Sequence, residues 1–350
     1  MRISERIKIF SLLGQRLLAE TLEPATGLLS VARRAESKFS FFTFDNIMRS
    51  LRACAEWLSE EKLREWVSAY PVVEKFSDKK IAVIMAGNLP FVGFHDVLCV
   101  LAAGYKVVIK PSSNDPYLWH YLQQLMAEVS PEMAARIEIT DGILQGFDAV
   151  IATGSNNSAR YFEEYFAKYP HIIRKNRSSA AVLQGGESSA QLDGLFDDMF
   201  SYFGLGCRNV SHVFLPKGYD VQGLAMRLFP EADAFGLKNH NSYCNNYQYQ
   251  RAVAAMNGVK FIDTAYSLWI ENDSLQAQIG VVNYSFYNDF SVLLKRLEQQ
   301  CDVLQCVVGE IDCSGLPIIP FGKAQQPSLI DYADGIDTMK FLENLNISKM

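Results

Sequence analysis

Seven cysteines are spread along this 350-residue chain, and one of them stands where a nucleophile would. Cys207 follows Gly204-Leu205-Gly206 and precedes Arg208. Glycines ahead of a thiol let backbone and ligand approach closely. A thiol attacks a carbonyl as the thiolate, which a positive local potential or a helix terminus favours, and Arg208 could supply such charge. The competing reading is a buried structural cysteine, the usual state of an unbridged Cys. Cys54 and Cys99 lie in apolar helical patterns, and Cys301 and Cys306 flank an apolar run, so all four read as core. His240-x-x-x-Cys244 has the look of a metal-site fragment but lacks further ligands, and no metal is expected.

Other polar groups gather at turns that follow β-type runs. In Gly87-Asn88-Leu89-Pro90 the Asn88 amide could donate to a developing oxyanion, a contribution of roughly 3 kcal/mol to the transition state. An Asn before Leu-Pro also suits a plain turn. Val107-Val108-Ile109-Lys110-Pro111-Ser112 and Ile151-Ala152-Thr153-Gly154-Ser155 carry groups suited to ribose and phosphate oxygens. Ser155, at a helix start, could set its hydroxyl and nearby amides on a pyrophosphate. A snorkelling Lys110 and helix-capping Thr153 and Ser155 are the plain alternatives. No G-x-G-x-x-G is present. Glu187, after Leu183-Gln184-Gly185-Gly186, could serve as a base or sit solvated in a loop. His212, in an apolar strand, reads as a core histidine.

The elements that must position these groups follow from periodicity. Apolar residues at helical spacing make Met1 to about Tyr70 helical. Five short β-type runs follow: Lys80–Ala86, Lys106–Lys110, Arg136–Thr140, Ala149–Thr153 and Ser179–Leu183. Helical stretches His95–Ala103, Tyr117–Val129 and Asn157–Lys168 alternate with them. That order predicts a doubly wound parallel sheet, with ligands at the carboxyl ends of its strands. Helical Leu192–Phe203, a strand Val210–Leu215 and helical Val221–Leu228 come next, then αβ alternation to about Gly309. The flexible pair Gly185-Gly186 marks the expected boundary.

The composition is that of a soluble globular chain, 49% apolar and 21% charged. A net charge of −6, with scattered Lys and Arg, gives no footprint for nucleic acid. The longest apolar candidate, Val92–Val108, is interrupted by His95, Asp96, Gly104 and Lys106 and is too short and too polar to span a bilayer. The N-terminus lacks a signal-peptide pattern, and an odd number of scattered cysteines suits reduced thiols, so a cytoplasmic location is expected.

Taken in order, the motifs resemble the aldehyde dehydrogenase superfamily. They are Asn88-Leu89-Pro90, Leu101-Ala102-Ala103-Gly104 leading to Val107–Ser112, Thr153-Gly154-Ser155, Leu183-Gln184-Gly185-Gly186, Gly206-Cys207, Pro320-Phe321-Gly322 and Tyr332 to Phe341. Within it the chain is most similar to the long-chain acyl-CoA reductase (LuxC-like) family. The resemblance implies an α/β fold of two doubly wound domains with the active site between them. We assign residues 1–183 to N-terminal helices and a cofactor-binding domain, 184–325 to a catalytic domain, and 326–350 to a tail packing back on the body. It implies that Cys207 is the nucleophile and that Asn88 and the Cys207 amide form the oxyanion hole. Lys110 and Ser112 would contact the cofactor ribose, with Thr153, Gly154 and Ser155 near the pyrophosphate and Gly185 beside the cofactor.

Three departures from the superfamily refine the expectation. Hydrolytic members carry a Glu before the Gly-Gly pair, where this chain has Gln184, an amide that cannot take a proton from water. Ser113 replaces the acid that commonly follows Lys-Pro-Ser, which favours NADPH, with NADH as the alternative. The Glu of the Glu-x-Phe-Gly-Pro motif has no counterpart in Gln276-Ala277-Gln278-Ile279-Gly280. The expected activity is NADPH-dependent reduction of an acyl-CoA or other acyl thioester, long-chain by resemblance, to the aldehyde through an acyl-cysteine. Rival readings are acyl-phosphate reduction, aldehyde oxidation and a non-catalytic scaffold. An acyl-transferring partner protein and an oligomer stay open.

Overall fold

Val107, Val108 and Ile109 are buried without alternation, as in a strand covered on both faces. In the computed structural model, which describes residues 1–71, 76–227 and 235–347, that strand belongs to the first of two units. The first unit comprises Met1–Lys175 with Ser328–Met350, and the second Asn176–Pro327.

The first unit opens with α1 (Ile3–Leu22), α2 (Thr26–Lys38), α3 (Phe44–Trp57) and α4 (Glu60–Ser68). Thr43 and Ser59 cap α3 and α4 by accepting from Asn46 N and Lys62 N. Then β1 (Lys80–Ile84), α5 (Phe94–Ala102), β2 (Lys106–Lys110), α6 (Leu118–Val129), α7 (Pro131–Ala134), β3 (Ile137–Ile139), β4 (Ala149–Thr153), α8 (Asn156–Phe166) and β5 (His171–Arg174) alternate. The strands pair in parallel in the order β3-β2-β1-β4-β5. Side chains sort by a period of two. Ile81, Val83 and Ile151 join one core with Phe10, Leu13 and Leu98, while Ala82, Val150 and Ala152 join another with Phe166 of α8. The sheet is therefore doubly wound. Burying each large apolar side chain there contributes about 2 kcal/mol.

The second unit contains β6 (Ser178–Val182), α9 (Ser189–Phe200), a 3₁₀ turn (Ser201–Gly204), β7 (Val210–Pro216), α10 (Val221–Arg227), α11 (Asn241–Met256), β8 (Phe261–Asp263), β9 (Leu268–Glu271), β10 (Val281–Tyr287), α12 (Phe290–Gln299), β11 (Leu304–Val308) and β12 (Ile318–Ile319). Its sheet runs β12-β11-β6-β7-β10-β9-β8, parallel except where β8 meets β9. Leu228, the last residue of the expected helix from Val221, lies outside the described residues, as do 348–350 of the expected tail.

The division differs from the expected boundary at 183/184 for a pairing reason. Ser178–Val182 hydrogen-bonds to β7 and β11, so the break precedes that strand. Gly185-Gly186 merely joins β6 to α9. At the other end, α13 (Thr338–Ile347) is part of the first unit, with Leu342 fully buried and its carbonyl accepting from Tyr105 Oη at 3.0 Å. Strand β5 escaped sequence reading because only Ile172 and Arg174 of its four residues are buried and it forms an edge.

Candidate active site

The first unit gathers its predicted polar groups at one end of its sheet. Strands β2 and β3 lie on one side of β1, and β4 and β5 on the other, so the winding reverses between β1 and β4. Ligands of such sheets bind at the carboxyl ends flanking that reversal. The turn holding Gly87 and half-buried Asn88 leaves β1 there, and Thr153-Gly154-Ser155 leaves β4. Ser155 is exposed and caps α8, accepting from Ser158 N at 3.2 Å, so the amide end of an 11-residue helix opens at the reversal. Lys110 and Ser112 leave β2 next door. Lys110 Nζ donates to the carbonyls of Asp141 at 3.2 Å and Gly142 at 2.6 Å, which pins the turn after β3. Ser112 packs on Gly87 so closely that a Cβ there would fall 2.1 Å from Ser112 Oγ. A Cβ on Gly154 would meet Ser158 Cβ at 2.9 Å. Glycine at both turns lets Ser112 pack directly on the turn after β1 and Ser158 and Phe162 of α8 pack on the turn after β4.

Arg174 and Asp96, neither among the predicted site residues, hold the frame of this unit. Arg174 Nη2, at the end of β5, donates to Asp96 Oδ1 of α5 at 2.7 Å and to Thr338 Oγ1 at 2.9 Å, and Nη1 donates to the Ala333 carbonyl. Both charges are buried. Tyr332 accepts from Trp66 Nε1 at 2.7 Å and lies 2.8 Å from Tyr70 Oη. The Tyr332–Phe341 motif is thus an anchor of the returning chain. For Arg174 and Asp96 the sequence signal was an Arg and an acid inside otherwise apolar stretches.

The second unit decides where Cys207 sits. Cys207 is exposed, in the turn between the 3₁₀ segment and β7. The chain reaches it through Tyr202, Phe203 and Gly204, at φ of 53°, 61° and 75°. Each non-glycine residue in that left-handed region costs about 1–2 kcal/mol, so the surrounding bonds must hold it. Buried Asn209 does so. Its Oδ1 accepts from Gly206 N at 2.7 Å, and its Nδ2 points at the carbonyls of Ser201, Asp198 and Met199 at 2.9, 3.1 and 3.2 Å. Ser179 Oγ of β6 donates to the Cys207 carbonyl at 2.9 Å. Asp198, 1% exposed, accepts from Gly322 N at 2.7 Å and Ala324 N at 2.9 Å, tying Pro320-Phe321-Gly322 to α9. Burial pushes its carboxyl up to about 7, against those two amides.

Gln184 and Gly185 are not beside Cys207. Ser179 pairs with Val210 and Val182 with Phe214 in parallel, so Cys207 lies at the amino end of the β6–β7 pair and Gln184 past its carboxyl end. Five residues of strand separate Ser179 from Gln184, roughly 16 Å. The expectation that Gln184 occupies the place of a hydrolytic base at the thioester is corrected by this register. Gln184 instead donates through Nε2 to the Glu310 carbonyl at 3.0 Å, and Glu187 accepts from the amides of Gln184 at 2.5 Å and Gly185 at 3.2 Å. These groups line a cleft of about 210 Å³ with Gln191 and Phe321 at the far end of β6.

The remaining candidates have structural partners. His212 is fully buried, bonded to the Ser274 carbonyl and Ser285 Oγ at 2.9 Å each, and burial takes its pKa down to about 4. His240 caps α11 and Cys244 Sγ donates to the carbonyls of Leu237 and Lys238. Cys54, Cys99 and Cys306 are core, but Cys301 is exposed just past α12, which corrects its assignment to the core.

A strained turn presenting an exposed thiol, held by Asn209 and Ser179, is the feature to compare with known proteins, and the acyl-CoA reductase (LuxC) family model matches residues 12–231, a span that includes it. The chain belongs to that family. A comparison with curated proteins finds no match. Solved structures similar to this acyl-CoA reductase family member are aldehyde dehydrogenases. One is a putative aldehyde dehydrogenase from Burkholderia cenocepacia, 14% identical at a TM-score of 0.65, covering 93% of this chain and 76% of its own. Another is an NAD-dependent benzaldehyde dehydrogenase from Corynebacterium glutamicum, 12% identical at 0.64, covering 88% and 76%. A third is a mutant aldehyde dehydrogenase C from Pseudomonas syringae in complex with NAD+ and octanal, 14% identical at 0.64, covering 85% and 70%. At such identities the likeness establishes an aldehyde dehydrogenase-like fold for this LuxC family member. Among the described residues, no helix is long and apolar enough to cross a membrane.

Proposed function

We propose that this LuxC family member reduces an acyl thioester, such as a long-chain acyl-CoA, to the aldehyde through an acyl-cysteine on Cys207. The observation that carries the reading is the exposed Cys207, held from both sides by Asn209 and Ser179 within the span that matches the family. The Cys207 thiolate attacks the thioester carbonyl, and the tetrahedral oxyanion accepts from the Cys207 backbone N–H. The donor thiolate leaves, giving the acyl-enzyme. A nicotinamide nucleotide, which Ser112, Thr153 and Ser155 would hold, would supply the hydride that reduces the acyl-cysteine carbonyl. The resulting thiohemiacetal oxyanion collapses, releases the aldehyde and returns the Cys207 thiolate.

A nicotinamide nucleotide is supported by the polar groups at the sheet reversal of the first unit: the amide end of α8 with its exposed cap Ser155, and the hydroxyls of Ser112 and Thr153. Exposed Ser113, in place of a carboxylate, supports NADPH over NADH, since no acid there repels a 2′-phosphate. Gln184, past the far end of β6 from Cys207, does not decide between aldehyde release and hydrolysis. Aldehyde release is supported by the family match, whose description is an acyl-CoA reductase. NADPH oxidation with long-chain acyl-CoA, compared between the wild type and Cys207→Ala, is the test. The variant is expected to lose activity by at least about 1,000-fold, and oxidation near the wild-type rate would overturn the assignment.

A further inference from the structure

We infer that Asn209 and Ser179 are a positioning pair that fixes the direction of the Cys207 thiol, an inference that rests on the nucleophile reading above. The two side chains grip one peptide group before the reactive residue and one after it. Asn209 Oδ1 receives the Gly206 N–H at 2.7 Å, and the Asn209 backbone N–H donates to the Gly206 carbonyl at 3.0 Å. Ser179 Oγ donates to the Cys207 carbonyl at 2.9 Å and lies 3.2 Å from Cys306 Sγ. Gly206 and Cys207 are thereby held to β6 and to the end of α9 at once.

The chemistry of Asn209 suits this task and few others. A helix end leaves carbonyls without intrahelical donors. The Nδ2 hydrogens of Asn209 reach the carbonyls of Asp198 and Met199 at the end of α9 and that of Ser201 just beyond. Its acceptor end holds the next turn. Only a carboxamide carries donor and acceptor in one plane at that reach. An aspartate of the same shape would turn a carboxylate oxygen toward three carbonyls. The left-handed run Tyr202-Phe203-Gly204 would then relax, and Cys207 would point along the wrong line for attack. Asn209 is 3% exposed and Ser179 fully buried, so neither is placed to touch substrate and both act through the Cys207 backbone.

The test compares Asn209→Asp, Ser179→Ala and Cys207→Ala with the wild type. The measurements are NADPH oxidation with decanoyl-CoA, iodoacetamide alkylation of Cys207 across pH by mass spectrometry, and thermal melting by circular dichroism. Positioning predicts that kcat falls about 100-fold in Asn209→Asp and about 10-fold in Ser179→Ala. KM for the acyl donor should stay within about threefold, and the alkylation rate or pH profile of Cys207 should change in step. Ser179→Ala removes one oxygen and keeps the test alive should Asn209→Asp fail to fold. Wild-type kcat and Cys207 alkylation per folded molecule in a folded Asn209→Asp, or in Ser179→Ala, beside an inactive Cys207→Ala, overturn this inference alone. An active Cys207→Ala overturns the nucleophile reading and this inference with it.

Discussion

Ser179 Oγ lies 2.9 Å from the Cys207 carbonyl, and this bond places the thiol at the amino end of β6 rather than at the Gly-Gly turn that closes the strand. The sheet register therefore separates two motifs that sequence order invites one to combine.

The separation has a consequence for product chemistry. Gln184→Glu would install a base beside the thioester if Gln184 stood next to Cys207. At roughly 16 Å of strand away, the new carboxylate takes the place of an amide that donates to the Glu310 carbonyl instead. The ratio of aldehyde to free acid formed from acyl-CoA is expected to stay within about twofold of wild type. Dominant acid release by the variant would contradict the register argument.

The Arg174–Asp96 pair offers a stability test. Both side chains are buried at 2.7 Å, so losing one strands the other. Arg174→Met is expected to lower unfolding free energy by roughly 3–5 kcal/mol in urea titrations. Combining it with Asp96→Leu should recover most of that loss. A single variant within about 1 kcal/mol of wild type would refute the pairing.

Acidity probes Asp198 and His212 together. Burial raises the Asp198 carboxyl from 3.8 to about 7, so the folded state holds a proton that the unfolded chain has released. Its contribution to stability is present below about pH 4 and is lost as pH rises through 7, at up to about 1.4 kcal/mol per unit. Burial lowers His212 from 6.5 to about 4, so its contribution is present above pH 6.5 and is lost as pH falls through 4. Between those limits the two slopes oppose. Asp198→Asn removes one of them, and its stability is expected to fall on acidification from pH 6.5 to 4 more steeply than the wild type's. Parallel curves for the two proteins would exclude titration of Asp198 in this range.

Much of this was legible in sequence because it is local. The strand runs Lys106–Lys110 and Ala149–Thr153 were found with their observed ends, since buried β-branched runs bounded by turn residues leave little choice. The turns of Asn88, Lys110, Ser112, Thr153 and Ser155 follow from them, because a strand's end fixes the turn after it. The sequence by itself determined the alternation of strands and helices, the order of the motifs and the one cysteine set in a glycine turn. Tertiary structure decided which motifs meet. Strand pairing moved Ser178–Val182 into the second unit's sheet and put Gln184 and Cys207 at opposite ends of neighbouring strands. The same folding gave Asn209 and Asp198 their partners and buried Arg174 against Asp96. Periodicity tells a chain which side of a strand to bury, but register and sheet order depend on segments far apart in sequence, and that is where the site is made.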